Sequence, residues 1–169
     1  MNIEVASYDP RWPLLFAAER DLLVAALPYL SLQVHHIGST SVPKLAAKPI
    51  IDLLLEVDSL EKLDRAVPSL VELGYEVMGE FGIPRRRYFR KGLERRTHQL
   101  HAFQAGDSHV LRHLAFRDYL RAHPDVAAQY AALKLSLANS CSSMDDYCDG
   151  KDPFIQQHEA LALRWAAVT

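Results

Sequence analysis

Two apolar runs joined by a small-residue turn dominate the polar and apolar pattern. Leu32 to Ile37 predicts a strand that runs into Gly38. Ile50 to Val57 is almost continuously apolar and predicts a buried strand carrying one early carboxylate, Asp52. Ahead of them, Ile3 to Ala6 predicts a short edge strand. Asp9-Pro10 predicts a helix start whose stripe, Leu14, Leu15, Ala18, Leu22, Ala25 and Ala26, ends at Pro28. Leu45 to Ala47 predicts one helical turn stopped by Pro49. Leu60, Leu63, Val67, Leu70 and Leu73 keep helical spacing, with Gly74 as the C-terminal cap. Tyr75 to Met78, Arg86 to Lys91 and His98 to Phe103 predict three further strands, punctuated by Gly79, Gly82, Pro84 and Gly92.

From about Ser108 the pattern is helical only. One stripe passes through Leu111, Leu114, Ala115, Tyr119 and Leu120. A second starts at Pro124 and carries Ala127, Ala128, Ala131, Leu135 and Ala138. A third runs from about Pro153 to Ala167. The expected architecture is α+β (mixed α/β): a mixed sheet flanked by helices, with a C-terminal helical segment packed back on it, in a single domain over 1–169.

Composition narrows the class. Hydrophobic residues make up 49% of the 169 and charged residues 24%, the balance of a globular protein with a sizeable core. A net charge of −2 gives no global pull toward nucleic acid or anionic membrane. No apolar run nears the ~20 residues of a membrane span, and MNIEVASYDP lacks the basic and apolar regions of a signal peptide. No membrane partner and a cytoplasmic location are therefore expected. Cys141 and Cys148 lack metal-ligand spacing and read as idle thiols.

The candidate chemistry centres on the turn. Gly38, Ser39, Thr40 and Ser41 allow close backbone approach, which suits a phosphate. Asp52 is costly in a buried strand unless something pairs it. A divalent metal is one partner; backbone donors of the Gly38 turn are another. Glu56 shares the face of Asp52 but stands four residues on, about 13 Å along a strand, so a shared ion requires a bulge and a structural role is the alternative. In RTHQLHAF, His98 and His101 fall on opposite faces and Gln99 shares the face of His101. Imidazole suits transition metals better than magnesium, so His101 beside Asp52 would favour manganese or zinc; hydrogen bonding within the sheet is the alternative. His36 either bonds a phosphate or braces the turn, and bracing is preferred.

The segment with Arg85, Arg86, Arg87, Arg90, Lys91, Arg95 and Arg96 against Glu94 carries +6, leaving −8 for the rest of a −2 chain. Guanidinium forks suit phosphate oxygens, so Arg85 and Arg87 are phosphate candidates, with a solvated basic hairpin as the alternative. RNA binding is a weaker reading of the same charge. Lys48, beside the strand of Asp52, is a further phosphate candidate. Arg117 either turns into the cleft to hold a phosphate or forms a helix-surface ion pair, and the ion pair is preferred.

HIGSTSVPKLAAKPIIDL, from His36 onward, resembles the hallmark of the GrpB family, close to HIGSTAVPGLAAKPIIDI. The resemblance continues through YDPRWPLLFAAE, GIPRRRYFRKG, RTHQLHAF and HLAFRDYLRAHPDVAAQYAALK, and covers nearly all of the chain. It implies a polymerase-beta-type nucleotidyltransferase fold and metal-dependent nucleotidyl transfer from a nucleoside triphosphate to an unknown acceptor. In that reading Asp52 is catalytic and holds the metal. Gly38, Ser39, Thr40 and Lys48 contact phosphate, and Arg85 and Arg87 offset the leaving pyrophosphate. His101 and Glu56 are further metal candidates, for magnesium or manganese, with zinc as an alternative. The superfamily usually places a second carboxylate at i+2, where this chain has Leu54. The family commonly has a second histidine where this chain has Gln99. Lys151, in YCDGKDPFI, matches the family's GKxxFI and is expected just before a helix. The alternatives are a catalytically inactive nucleotide- or coenzyme-A-related binding module, favoured by Leu54 and by the association of GrpB-like domains with dephospho-coenzyme A kinases, and an RNA-binding protein.

Overall fold

The computed structural model describes residues 3–169. Its centre is strand β2 (Ile51–Val57), paired antiparallel with β1 (Leu32–Ile37) and parallel with β5 (His98–Gln104). Beyond β5 lie β4 (Arg87–Lys91) and then β3 (Tyr75–Gly79), both added antiparallel, so the mixed sheet has the order β1-β2-β5-β4-β3. Leu53, Leu54 and Leu55 are fully buried, as an apolar run covered on both faces requires. One face packs on α1 (Trp12–Ala26), α2 (Leu60–Arg65) and α3 (Val67–Glu72) through Leu23, Leu63, Leu70, Leu53 and Leu100. The other buries Ile37, Leu54, Phe103 and Val110 under α4 (Ser108–Ala122). Helices α5 (Pro124–Ser140) and α6 (Met144–Ala167) close on α4 in a separate apolar cluster.

Several elements depart from the sequence pattern. Ile3 to Ala6 forms no strand; Ala6 makes a single bridge to Ala47, with N–H···O distances of 2.9 and 3.0 Å. The helical turn near the glycine is a 3-10 turn at Ser39–Ser41, and Leu45 to Ala47 is not helical. The helix expected from Leu60 to Leu73 breaks at Ala66. Pro68 has no N–H to donate back to Asp64 and its ring would clash there, so it sits in the first turn of α3 instead.

The α1 stripe is misplaced by the pattern. Leu14, Leu15 and Leu22 are exposed, whereas Trp12, Glu19 and Leu23 are buried. The reason is Glu19, a carboxylate on the inward face. It accepts from the Tyr75 hydroxyl at 2.8 Å and from Lys91 Nζ at 2.8 Å. In α4, Leu111 is exposed and Val110 is inside. Helix α6 begins nine residues before Pro153, because the Ser143 hydroxyl caps it by accepting from Asp146 N at 3.0 Å and Asp145 and Asp146 favour its first turn.

Candidate functional site

The β1–β2 register places Ile37 opposite Asp52, so the turn leaving β1 lies directly against the carboxylate. Gly38 has φ +72°, and a Cβ there would sit 2.6 Å from Asp52 Oδ2. Glycine is therefore demanded twice, by backbone conformation and by the carboxylate. His36 is buried, stacks on Phe16 at 4.7 Å and hydrogen-bonds Thr40 Oγ1 at 2.9 Å. Burial, with help from Arg121, pushes its pKa down to about 4, so the ring is neutral and braces the turn. Gly38→Ala is expected to cost about 1–3 kcal/mol and to displace Asp52; a thermal melt with a ligand titration reads both effects.

Asp52 faces His101 from β5, with Nε2 3.2 Å from Oδ1. The other ring nitrogen, Nδ1, faces Arg86 Nη1 at 3.5 Å. A guanidinium only donates, so Nδ1 accepts and the ring proton sits on Nε2, donated to Asp52. Arg86 is buried, bonds the carbonyls of Glu80 and Phe81 at 3.1 and 2.9 Å, and lies over the Tyr88 ring at 4.8 Å. The chain Arg86–His101–Asp52 thus orients the carboxylate and leaves His101 no free lone pair for a metal. Gln99 joins the lining on the same face, while His98 points the other way toward Glu19.

Glu56 does not join Asp52. Leu54 lies between them in the core, and Glu56 pairs with His35 at 3.0 Å beside a different cleft. Among the described residues, no group of three His, Cys, Asp or Glu side chains is placed to hold a metal. This donor set does not suit zinc, which takes three or four protein ligands. It does suit magnesium or manganese carried on a triphosphate, which needs one carboxylate besides phosphate oxygens.

Two cavities meet at Asp52, sharing Gly38, Ser39 and Tyr130. The first, about 180 Å³, brings together Lys48, Lys134 and Lys151. Two Tyr-x3-Lys pairs build it: Tyr130 and Lys134 on α5, Tyr147 and Lys151 on α6. Lys134 Nζ lies 4.5 Å from the Tyr130 ring centre; Lys48 and Lys151 lie 5.4 and 4.6 Å from that of Tyr147. Lys134 is 2% exposed and its Nζ has no hydrogen-bond partner, nor has the Tyr147 hydroxyl. Burial, then Lys151 and Lys48, push the Lys134 pKa down to about 7. Burial and Lys48 also lower that of Lys151. Lys134 and both tyrosines escaped the sequence analysis. Lys151 reaches the cavity from within α6, not from ahead of a helix. The second cavity, about 270 Å³, extends past His101 and His113 to Arg112 and Glu159.

The basic segment is spent on ion pairs. Arg85 meets Asp107 at 3.0 Å, and Arg87 grips both oxygens of Asp64 at 2.8 and 3.2 Å. Arg90 meets Glu76 at 3.1 Å, Lys91 meets Glu19, and Arg95 meets Glu4 at 2.6 Å. Neither Arg85 nor Arg87, the two phosphate candidates, lines either cavity, and of this segment it is Arg86 that reaches the site, through His101. Arg117 bonds Asp118 at 2.8 Å and the His36 carbonyl at 3.2 Å, and it also lines the second cavity.

This sheet and its helices form a nucleotidyltransferase-like fold. They superimpose on the structure of the Cid1 poly(U) polymerase with Mg 3′-dATP bound, with a TM-score of 0.54 and 14% identity over 78% of this chain and 41% of Cid1. Within that class the chain belongs to the GrpB family, described as GrpB protein, which it matches over residues 2–160. The crystal structure of the conserved protein GrpB from Enterococcus faecalis superimposes with a TM-score of 0.93 at 47% identity, covering 96% of this chain and 99% of the other. The UPF0157 protein YqkA of Bacillus subtilis is 44% identical over 165 residues, 97% of this chain and 48% of YqkA, so the chain spans about half of that relative. A dephospho-CoA kinase of Mycolicibacterium paratuberculosis aligns at 29% identity over 95% of this chain and 46% of the kinase. No described helix is long and apolar enough to cross a membrane.

Proposed function

We propose that the cleft binds a nucleoside triphosphate, with its phosphates among Lys48, Lys134 and Lys151 and against the Gly38–Ser39 turn. One observation carries this reading: three ammonium groups converge on one cavity and none of them forms an ion pair among the described residues. Lys134 is buried and Lys48 and Lys151 are half-buried, and three cations against the single carboxylate of Asp52 leave the cavity in need of an anion. The Ser39 hydroxyl and the phenol of Tyr130 supply further polar contacts. Asp52, oriented by His101, would hold a magnesium or manganese ion arriving on the nucleotide. Such an ion offsets phosphate charge.

Nucleotidyl transfer is a second reading, favoured by the position of Asp52 at the junction of the two cavities. Leu54 in place of a second carboxylate weighs against it. The ion pairs of the basic segment weigh against RNA binding, which rested on its charge.

Calorimetry with ATP and inorganic tripolyphosphate, with magnesium or with chelator, tests the proposal. Lys48→Gln and Lys151→Gln are each expected to weaken both ligands tenfold or more, about 1.4 kcal/mol. A wild-type protein that binds neither sinks it. Pyrophosphate release that requires the metal and disappears in Asp52→Asn would establish the transfer reading.

A further inference from the structure

We infer that the second cavity receives the base of the bound nucleotide, and that Arg112 and Glu159 select guanine there. The inference rests on the nucleotide reading of the lysine cavity and names the substrate class.

The two cavities share Gly38, Ser39, Asp52 and Tyr130 in their walls, yet their chemistry is opposite. The lysine side holds unpaired cations. On the far side each cation is already matched: Arg112 Nη1 meets Glu159 Oε1 at 2.9 Å, and Arg117 Nε meets Asp118 at 2.8 Å. His113 is neutral, because burial and then the charge of Arg112 hold its pKa far below the ordinary histidine range. A balanced compartment is a poor place for more phosphate and a good one for an uncharged group. Phe116, Ile155 and Tyr130 give it the apolar and aromatic walls on which a flat ring packs. One ligand with a polyanionic end and a neutral planar end fits the pair of cavities, with Asp52 between the two ends.

The polar edge of the compartment is specific. Arg112 is fixed from behind, its Nε and Nη2 at 3.3 and 3.2 Å from His109 Nδ1 and its Nη2 at 3.3 Å from His113 Nε2. Glu159 Oε1 accepts from Arg112, and no described protein group donates to Oε2. A cationic donor and an anionic acceptor therefore stand side by side. Guanine presents the complement on one edge: the O6 acceptor beside the N1–H and N2–H donors. Adenine, cytosine and uracil each offer a carboxylate only one donor position on that edge.

The test is isothermal calorimetry on the full chain with magnesium present, using GTP, ITP, ATP, CTP, UTP and tripolyphosphate. GTP is expected to bind at least tenfold tighter than ATP, CTP and UTP. ITP, which lacks the N2 amine, should fall between. Glu159→Gln should narrow the GTP advantage to less than threefold. A wild-type protein that binds all four nucleotides equally, or that prefers ATP, CTP or UTP, overturns the assignment without needing any variant. Tripolyphosphate separates the two readings. If it binds and no base preference exists, the guanine assignment fails and the lysine site stands. If neither it nor any nucleotide binds, both fail.

Discussion

Replacing Lys134 with methionine is expected to raise the melting temperature of the free protein and to weaken its affinity for tripolyphosphate a hundredfold. The Nζ of Lys134 is buried without a partner, so the fold bears its desolvation and its repulsion from Lys151 and Lys48. Its pKa falls from 10.5 to about 7 in the folded chain. Between those two values the unfolded chain holds the extra proton, so stability rises with pH across that window and is lowest below it. The penalty at neutral pH is on the order of 2–5 kcal/mol. Methionine keeps the stem and removes the charge. At pH 7 the variant should melt about 4 °C or more above wild type, and the gap should shrink toward pH 10. Tripolyphosphate binding should fall a hundredfold, and in the wild type it should take up a proton near pH 8. A variant that melts lower and still binds would show that Lys134 packs the helices and does not await an anion.

That cost explains why the site was only half legible in the sequence. Gly38, Ser39, Asp52 and Lys48 lie on one contiguous stretch, where a small-residue turn and an isolated carboxylate are conspicuous. Their partners come from α4, α5 and α6, more than fifty residues later. Lys134 sits among alanines and leucines and looks like the solvent side of an ordinary amphipathic helix; only the repeated Tyr-x3-Lys spacing hints otherwise. Asp145, Asp146, Gly150 and Pro153 read as loop, which hid the first nine residues of α6 and put Lys151 in the wrong setting. The opposite error occurred at Arg85 and Arg87. A run of like charge is conspicuous in sequence, while Asp64 and Asp107, which neutralise it, are distant in the chain. The central strands fared better because β2 is an apolar run buried on both faces and β1 runs straight into the Gly38 turn. β1 spans the expected residues, and β2 starts only one residue late.

The other misreading, the inward face of α1, carries the second large effect. Glu19→Ala is expected to destabilise the protein by about 3–5 kcal/mol, lowering the melting temperature by roughly 6–20 °C. Glu19 is 4% exposed and joins α1 to β3 through Tyr75 and to β4 through Lys91, with His98 of β5 at 3.7 Å. Burial, then the charge of Glu19, push the Tyr75 pKa up, so the phenol keeps its proton and remains a donor. Alanine would leave that hydroxyl and the Lys91 ammonium without their acceptor in a water-poor space. Glu19→Gln keeps the shape and loses the charge, and should cost less. If the burden is unsatisfied polarity and not lost volume, the triple change Glu19→Leu, Tyr75→Phe and Lys91→Met should recover most of the stability lost by Glu19→Ala. A triple variant no more stable than the single one would show that the three polar groups fix the packing of α1 on the sheet in a way apolar side chains cannot replace.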